Sequence, residues 1–252
     1  MNKRMRKLLV TLVLFIGLGT AALLGRAGVS ELIERNAGDR VYAELALQAH
    51  AAMHAHKDIA EQSGGAAMRV QMESAQESAP VSEMDFETLI SGMPNIVGWI
   101  KIDGTSIDYP IVQGGDNSFY LSHLPDGNAN AAGSIMMDVQ NRADFSDFLT
   151  VLHGHHMRAG RMFGDLEKYA DAEYRKAHGA IRLYTPNGDF TAKVVAAWHT
   201  AADTFSNPLS YTCDSQLAAM VPDLGEAHGY LLLSTCSYAF ENARFVVLAR
   251  RA

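Results

Sequence analysis

The sequence predicts a mostly β chain, an antiparallel barrel of eight strands with helical decorations, preceded by an apolar N-terminal segment and a helical stalk. Three observations predict it. Eight short apolar or alternating runs fill the part of the chain after residue 80. Turn-forming residues separate many of them, and no regular strand–helix alternation joins them, so a parallel α/β fold is disfavoured.

The chain divides into residues 1–25, 26–80 and 81–252. Lys3, Arg4, Arg6 and Lys7 precede an uncharged run from Leu8 to Gly25, eighteen residues long. That length just spans a bilayer. A cleaved signal peptide has the same order of charge and apolarity. The length of the run and the charged residues after it (Arg26, Glu31, Glu34, Arg35) favour an uncleaved anchor, with the N-terminus in the cytoplasm and the rest outside. Residues 26–80 hold no Trp or Phe. Val29, Leu32, Ile33, Val41, Leu45 and Leu47 recur near helical spacing, with interruptions at Gly38 and Gly64-Gly65. This reads as a helical, partly flexible stalk. His50 and His54, four apart, share one possible helix face, but no Cys or carboxylate completes a metal set there, so a solvated face is expected for them and for His56.

In residues 81–252, Asp85 to Ile90 predicts a short leading helix. Strands are predicted over Val97–Ile102 and Ile107–Val112, with Asp103-Gly104 as the hairpin signal between them. Further strands are predicted over Gly133–Asp138, Leu149–Leu152, Ala180–Thr185, Phe190–Thr200, Tyr230–Cys236 and Arg244–Ala249. Pro186-Asn187-Gly188-Asp189 turns the chain between two of these. Helices are predicted over Arg161–Tyr169, continuing through Ala170–Ala177, and over Ser215–Val221.

The formal net charge is −7, and setting aside the four positive charges of residues 1–7 leaves −11 on the remainder. A nucleic-acid binder would need a basic face, so that class is excluded, and binding of the soluble part to anionic lipid is disfavoured. The two cysteines, Cys213 and Cys236, make at most one bridge. A domain of about 170 residues buries a core without it. A chain this sparing with cysteine fits a working thiol better than a disulfide framework.

Cys236 ends the apolar run Leu231-Leu232-Leu233-Ser234-Thr235, and Arg244 follows eight residues later. About eighty residues upstream is Leu152-His153-Gly154-His155-His156-Met157. Read alone, Cys236 fits a small hydrophobe finishing a core strand better than a nucleophile. A thiol is a few per cent ionised at neutral pH and needs a partner that favours the thiolate, usually histidine. His155, His156 and His153 are the candidates, and the Gly154 turn would aim one imidazole into a groove. The same cluster read alone suits a structural turn. A metal site lacks a further ligand, since strand alternation puts His153 and His155 on one face and His156 on the other. Arg244 either caps the barrel rim by a salt bridge or holds a fixed cation over a groove, where it would stabilise an oxyanion. If the last two strands form a hairpin, Cys236 and Arg244 face each other across its mouth.

These residues resemble the sortases, and within them class B. The resemblance covers nearly all of residues 83–252. It includes Val97-Gly98-Trp99-Ile100-Lys101-Ile102, Ile107-Asp108-Tyr109-Pro110-Ile111-Val112-Gln113-Gly114 and Asp116-Asn117-Ser118-Phe119-Tyr120-Leu121. It continues through Ala132-Gly133-Ser134-Ile135-Met136-Met137-Asp138, Gly154-His155-His156-Met157 and Met162-Phe163-Gly164-Asp165-Leu166. It ends on Leu233-Ser234-Thr235-Cys236 and Asn242-Ala243-Arg244. The resemblance implies a membrane-anchored cysteine transpeptidase of Gram-positive bacteria, with the sortase-type eight-stranded barrel and no cofactor or metal. It implies Cys236 as nucleophile, His155 as the catalytic histidine and Arg244 as the essential arginine. Thr235, with Ser234 beside it, resembles the position that assists the oxyanion or contacts substrate. The implied substrates are surface proteins with an LPxTG- or NPxTN-like C-terminal sorting signal. The implied acceptor is a cell-wall precursor amine or, in a pilin-polymerising sortase, a pilin amine. A groove between Trp198 and Tyr230 is expected to set the signal. An exported Cys-His cell-wall peptidase is the rival enzyme class. Two departures stand out. The family's usual Tyr-Gly-His-Asn-Met is His153-Gly154-His155-His156-Met157 here, and its Thr-Leu-x-Thr-Cys is Leu232-Leu233-Ser234-Thr235-Cys236. The extra imidazoles, His153 and His156, are placed to tune His155.

Overall fold

The computed structural model describes residues 36–51, 82–221, 224 and 226–251. The apolar run Leu8–Gly25 and residues 52–80, including His54 and His56, lie outside them. Among the described residues no helix is long and apolar enough to cross a membrane. Contacts divide the chain into residues 1–40 and 41–252. In the first unit, residues 36–40 are helical; that helix, α1 (residues 36–51), continues into the second unit.

Eight strands close into a barrel: β1 (Ile96–Lys101), β2 (Asp108–Val112), β3 (Ile135–Met137), β4 (Leu149–His153), β5 (Ala180–Tyr184), β6 (Phe190–Ala201), β7 (Tyr230–Cys236) and β8 (Ala243–Arg251). Their order around the barrel is β1-β2-β3-β4-β7-β8-β6-β5. Every strand expected from the sequence is present. Two neighbouring pairs, β2/β3 and β4/β7, are parallel, so the barrel is not wholly antiparallel. Each of those pairs is joined by a long excursion rather than a tight turn, which lets the chain return in the same direction.

Strand alternation sorts the side chains. Ile100, Ile111, Ile135, Leu152, Leu183 and Leu233 belong to one buried cluster to which all eight strands contribute, which makes it the barrel interior. The outer faces of β4, β7 and β8 are also buried: Leu149, Val151, Leu232, Val246 and Leu248 lie under Phe205, Leu217, Val221 and Leu224. A strand covered on both faces needs no polar alternation. That is why Leu231-Leu232-Leu233 and Phe245-Val246-Val247-Leu248 read as continuous apolar runs.

Helices cover another patch of the outer wall. α2 (Phe86–Gly92) starts at Asp85, whose side chain accepts from the Thr88 N–H, an ordinary N-cap. From α1, Leu45 and Ala49 pack with Phe86, Leu89, Ile96 and Trp99. Tyr42, Leu45 and Ala49 share one stripe at helical spacing. The part of the expected stalk from Val41 to residue 51 therefore packs with the barrel in one unit. His50 Nε2 lies 2.8 Å from Asp108 Oδ2, so this imidazole is docked on the barrel rather than on a solvated face. Lys101 Nζ donates to the same oxygen at 2.8 Å, and Trp99 Nε1 donates to Asp108 Oδ1 at 2.7 Å.

The continuous helix expected over Arg161–Ala177 does not form. Leu166–Ala170 is a 3₁₀ turn and α3 (Ala172–Ala177) is separate. Asp171 is extended between them and caps α3 by accepting from the Tyr174 N–H. Before Leu166 the chain turns tightly: Met162 has φ +54°, and a side chain on Gly164 would meet the Met157 carbonyl oxygen at 2.0 Å. α4 (Asp214–Ala218) matches the predicted Ser215–Val221 helix, one turn shorter at its end.

Candidate active site

The outward rows of β4, β7 and β8 change character at one end of the barrel. Val151 gives way to His153, Leu232 to Ser234 and then Cys236, and Val246 to Arg244. The register aligns them: His153 pairs with Ser234, Ser234 with Val246, and Cys236 with Arg244. The cover over these rows also ends here, and a cleft of about 370 Å³ opens. His155 and Leu121 form part of its wall, with Thr200, Phe205 and Ser206 from the segment where a groove was expected.

Cys236 and Cys213 are both free and exposed. Cys236 is the last residue of β7 and Arg244 the second of β8. Directly paired residues of an antiparallel ladder present their side chains on the same face, so thiol and guanidinium share the cleft. The loop between them closes with Asn242 at φ +56° and with the Ser237 N–H donating to the Ala243 carbonyl at 3.1 Å. Arg244 donates to the Ala243 carbonyl at 3.2 Å. No described carboxylate forms an ion pair with it, so the rim salt bridge is absent and the cation remains available to the cleft.

The histidine turn is laced to β7. The Gly154 N–H donates to the Ser234 carbonyl at 3.1 Å, and the Thr235 hydroxyl donates to the Gly154 carbonyl at 2.8 Å. A side chain at 154 would strike Ile135 Cδ1 at 2.5 Å and the Phe163 ring at 2.7 Å, so glycine is required by close approach. His155 Nε2 lies 2.6 Å from the Leu121 carbonyl oxygen. A carbonyl only accepts, so Nε2 carries the proton and Nδ1 is the nitrogen left for chemistry. His156 has the opposite arrangement: its Nδ1 donates to the Cys236 carbonyl at 3.0 Å.

The sequence-predicted residues thus converge, with distinctions. Cys236, His155, Arg244 and Ser234 line the cleft. Thr235 also borders it, but its side chain is in phase with Leu231 and Leu233 and faces away from the thiol. Its hydroxyl is engaged with Gly154, so in this structure it supports the histidine turn rather than an oxyanion. His153 Nε2 lies 3.1 Å from Asp138 Oδ2. Asp138 is buried, and its carboxyl also accepts from Asn117 Nδ2 and the Gln140 N–H. Burial pushes this carboxyl up, but the His153, Gln140 and Asn117 bonds outweigh it and hold it below the usual carboxylate range. The sequence pattern assigns no role to Asp138, Asn117 or Leu121. Leu121 acts through its carbonyl, which no side-chain pattern reveals. Among the described residues no group of three His, Cys, Asp or Glu side chains could hold a metal ion.

The family described as "Sortase domain" matches residues 100–252. The chain belongs to the sortase family. Sortase B of Staphylococcus aureus is 30% identical over 184 residues, covering 66% of this sortase and 73% of that protein. Sortase B of Listeria monocytogenes is 37% identical over 111 residues, 44% of this chain and 45% of that one, less than half the relative's length. Among solved structures, a Staphylococcus aureus sortase B–substrate complex is similar with a TM-score of 0.68 at 25% identity, covering 87% of this sortase and 98% of that chain. Sortase B from B. anthracis in complex with AAEK1 gives 0.67 at 26% identity, covering 88% and 99%. These relatives place this sortase in class B, a group of cysteine transpeptidases. The eight-stranded barrel agrees with theirs.

Proposed function

We propose that Cys236 is the nucleophile of this transpeptidase, His155 its acid/base and Arg244 its anion stabiliser. The observation that carries the reading is the Cys236–Arg244 register pair, with a histidine turn tied to the same strand end. The Cys236 thiolate attacks the carbonyl carbon of the scissile peptide bond, and an S–C bond forms as the carbonyl electrons move onto oxygen. The Arg244 guanidinium, free of any described carboxylate, supports that oxyanion. His155 donates a proton from Nδ1 to the leaving amine as the C–N bond breaks, because Leu121 holds Nε2. The thioester left on Cys236 is then attacked by an acceptor amine. His155 takes the amine's proton, and the thiolate departs.

The substrate is a surface protein with an LPxTG- or NPxTN-like C-terminal sorting signal, seated in the cleft beside Thr200 to Ser206. The acceptor is a cell-wall amine. A Staphylococcus aureus relative has been seen as a substrate complex, which supports a peptide in the corresponding cleft. Residues 8–25 anchor the chain in the cell membrane, with the barrel outside.

The deciding experiment is mass spectrometry of the protein incubated with peptides spanning both signal types, with and without an amine acceptor. An acyl adduct on Cys236 is expected for one motif, released by the amine. Cys236→Ala should remove adduct and product while the protein still melts cooperatively, and His155→Ala should slow turnover roughly 10²–10⁴-fold. Turnover by the Cys236→Ala protein would sink the assignment.

A further inference from the structure

We propose that His156 is a positioning residue that sets the geometry between His155 and the Cys236 thiol. The proposal rests on Cys236 being the working nucleophile. Cys236 is the last residue of β7, where a ladder is prone to fray. Its peptide unit is fixed from two sides. The His156 Nδ1–H holds the Cys236 carbonyl at 3.0 Å, and the Ala243 carbonyl holds the next amide, that of Ser237, at 3.1 Å. The bonds to β7 also bracket His155 in sequence. Gly154 binds Ser234 and Thr235 on one side, and His156 binds Cys236 on the other. Without the His156 bond the ties of this segment to β7 lie on the N-terminal side of His155, at His153 and Gly154, and the nucleophile's own carbonyl loses this partner.

The surroundings of His156 suit a fixed clamp. The His156 main chain forms a β-bridge with Met162, and the His155 carbonyl accepts from the Phe163 N–H at 3.0 Å. The ring lies 5.9 Å from that of Tyr238 in the loop after Cys236. Glu167, from the 3₁₀ turn Leu166–Ala170, places Oε1 3.9 Å from Nδ1. The main-chain contacts fix the backbone that carries the imidazole, and the Glu167 and Tyr238 side chains border the ring. Because Nδ1 donates to the Cys236 carbonyl, that nitrogen serves the clamp rather than a substrate.

The test uses the full chain and iodoacetamide, which needs no sorting signal. Alkylation is read by mass at the peptide bearing Cys236, since Cys213 is exposed too. His156→Ala should slow Cys236 alkylation near pH 7 roughly tenfold, as the thiolate loses its placed partner. The difference should vanish near pH 10, above the ordinary range of a cysteine thiol, where alkylation needs no imidazole partner. His156→Asn, whose amide N–H reaches the same carbonyl, should return the rate to within about twofold of the parent. Melting curves check that both variants fold. Parent-like alkylation by His156→Ala, an equal loss at pH 7 and 10, or an Asn variant no better than Ala would each overturn the clamp. Failure of the thiol mechanism itself shows separately, as peptide turnover by Cys236→Ala.

Discussion

Two clusters of charged and imidazole side chains lie on the outer wall of this barrel, and they are wired differently. Where α1 docks, Lys101, His50 and Trp99 all converge on one carboxylate, Asp108. In the cleft, the bonds of His155 and Arg244 among the described residues go to main-chain carbonyls, those of Leu121 and Ala243. The first cluster is closed: its charges neutralise one another and hold an element in place. The second is oriented but not neutralised. A carbonyl fixes direction without supplying a full counter-charge, so a cation or proton donor held this way still has an interaction to offer. The contrast is the one expected between side chains that hold a fold and, on the proposed assignment, side chains that meet a substrate.

The largest effect should come from filling or removing the un-neutralised charge. Arg244→Ala should lower kcat/KM about 10²–10³-fold in a peptide-cleavage assay, with little change in melting temperature. Arg244→Lys should recover only a small part, since a point charge on a flexible stem does not reproduce the fixed fork. A fully active Lys variant would mean that charge alone suffices.

A smaller and opposite pattern is expected at the closed cluster. Burial raises the Asp108 carboxyl, but the bonds from Lys101, Trp99 and His50 outweigh it and bring it below its ordinary value. A depressed carboxyl contributes stability that is complete above about pH 4, the unfolded value, and drains away as pH falls through the folded one. Asp108→Asn should therefore cost about 1–2 kcal/mol at pH 7 in urea denaturation and flatten the acid limb of stability below pH ~4. Peptide turnover per folded molecule should not change. A variant that loses turnover instead would join the two clusters functionally.

The smallest effect belongs to the buried Thr235 hydroxyl, which bonds to Gly154 rather than the cleft. Thr235→Val should cost about 1 kcal/mol of stability and lower turnover much less than Arg244→Ala. A loss of turnover as large as that of Arg244→Ala would restore Thr235 to the oxyanion.

What the sequence made legible follows the same division. The strands were readable because apolar runs and turn residues are local signals, and the Cys236–Arg244 pairing followed from a hairpin of adjacent strands. The parallel β4/β7 pairing was not readable, since it joins segments with most of the domain's excursions between them. Helical spacing was visible in Val41, Leu45 and Leu47, but of these Leu45 alone joins Tyr42 and Ala49 in the buried stripe and Leu47 is exposed, because nothing local says which surface the helix covers. The broken helix at Asp171 was missed because its breaker is a capping side chain, not Gly or Pro. Three histidines could be named for catalysis, whereas their division of labour depends on main-chain carbonyls of Leu121 and Cys236. That information is positional rather than compositional.

The β4–β7 ladder has a consequence in time as well as space. Leu149 pairs with Tyr230, and His153 with Ser234, across a long stretch of chain. Closing such a loop costs entropy before its contacts return any, so this ladder belongs among the slow events of folding. The imidazole leaves one of these strands and the thiol ends the other. On the proposed assignment, thiol and imidazole come together only as this ladder forms, so their chemistry waits on one of the slower steps of assembly.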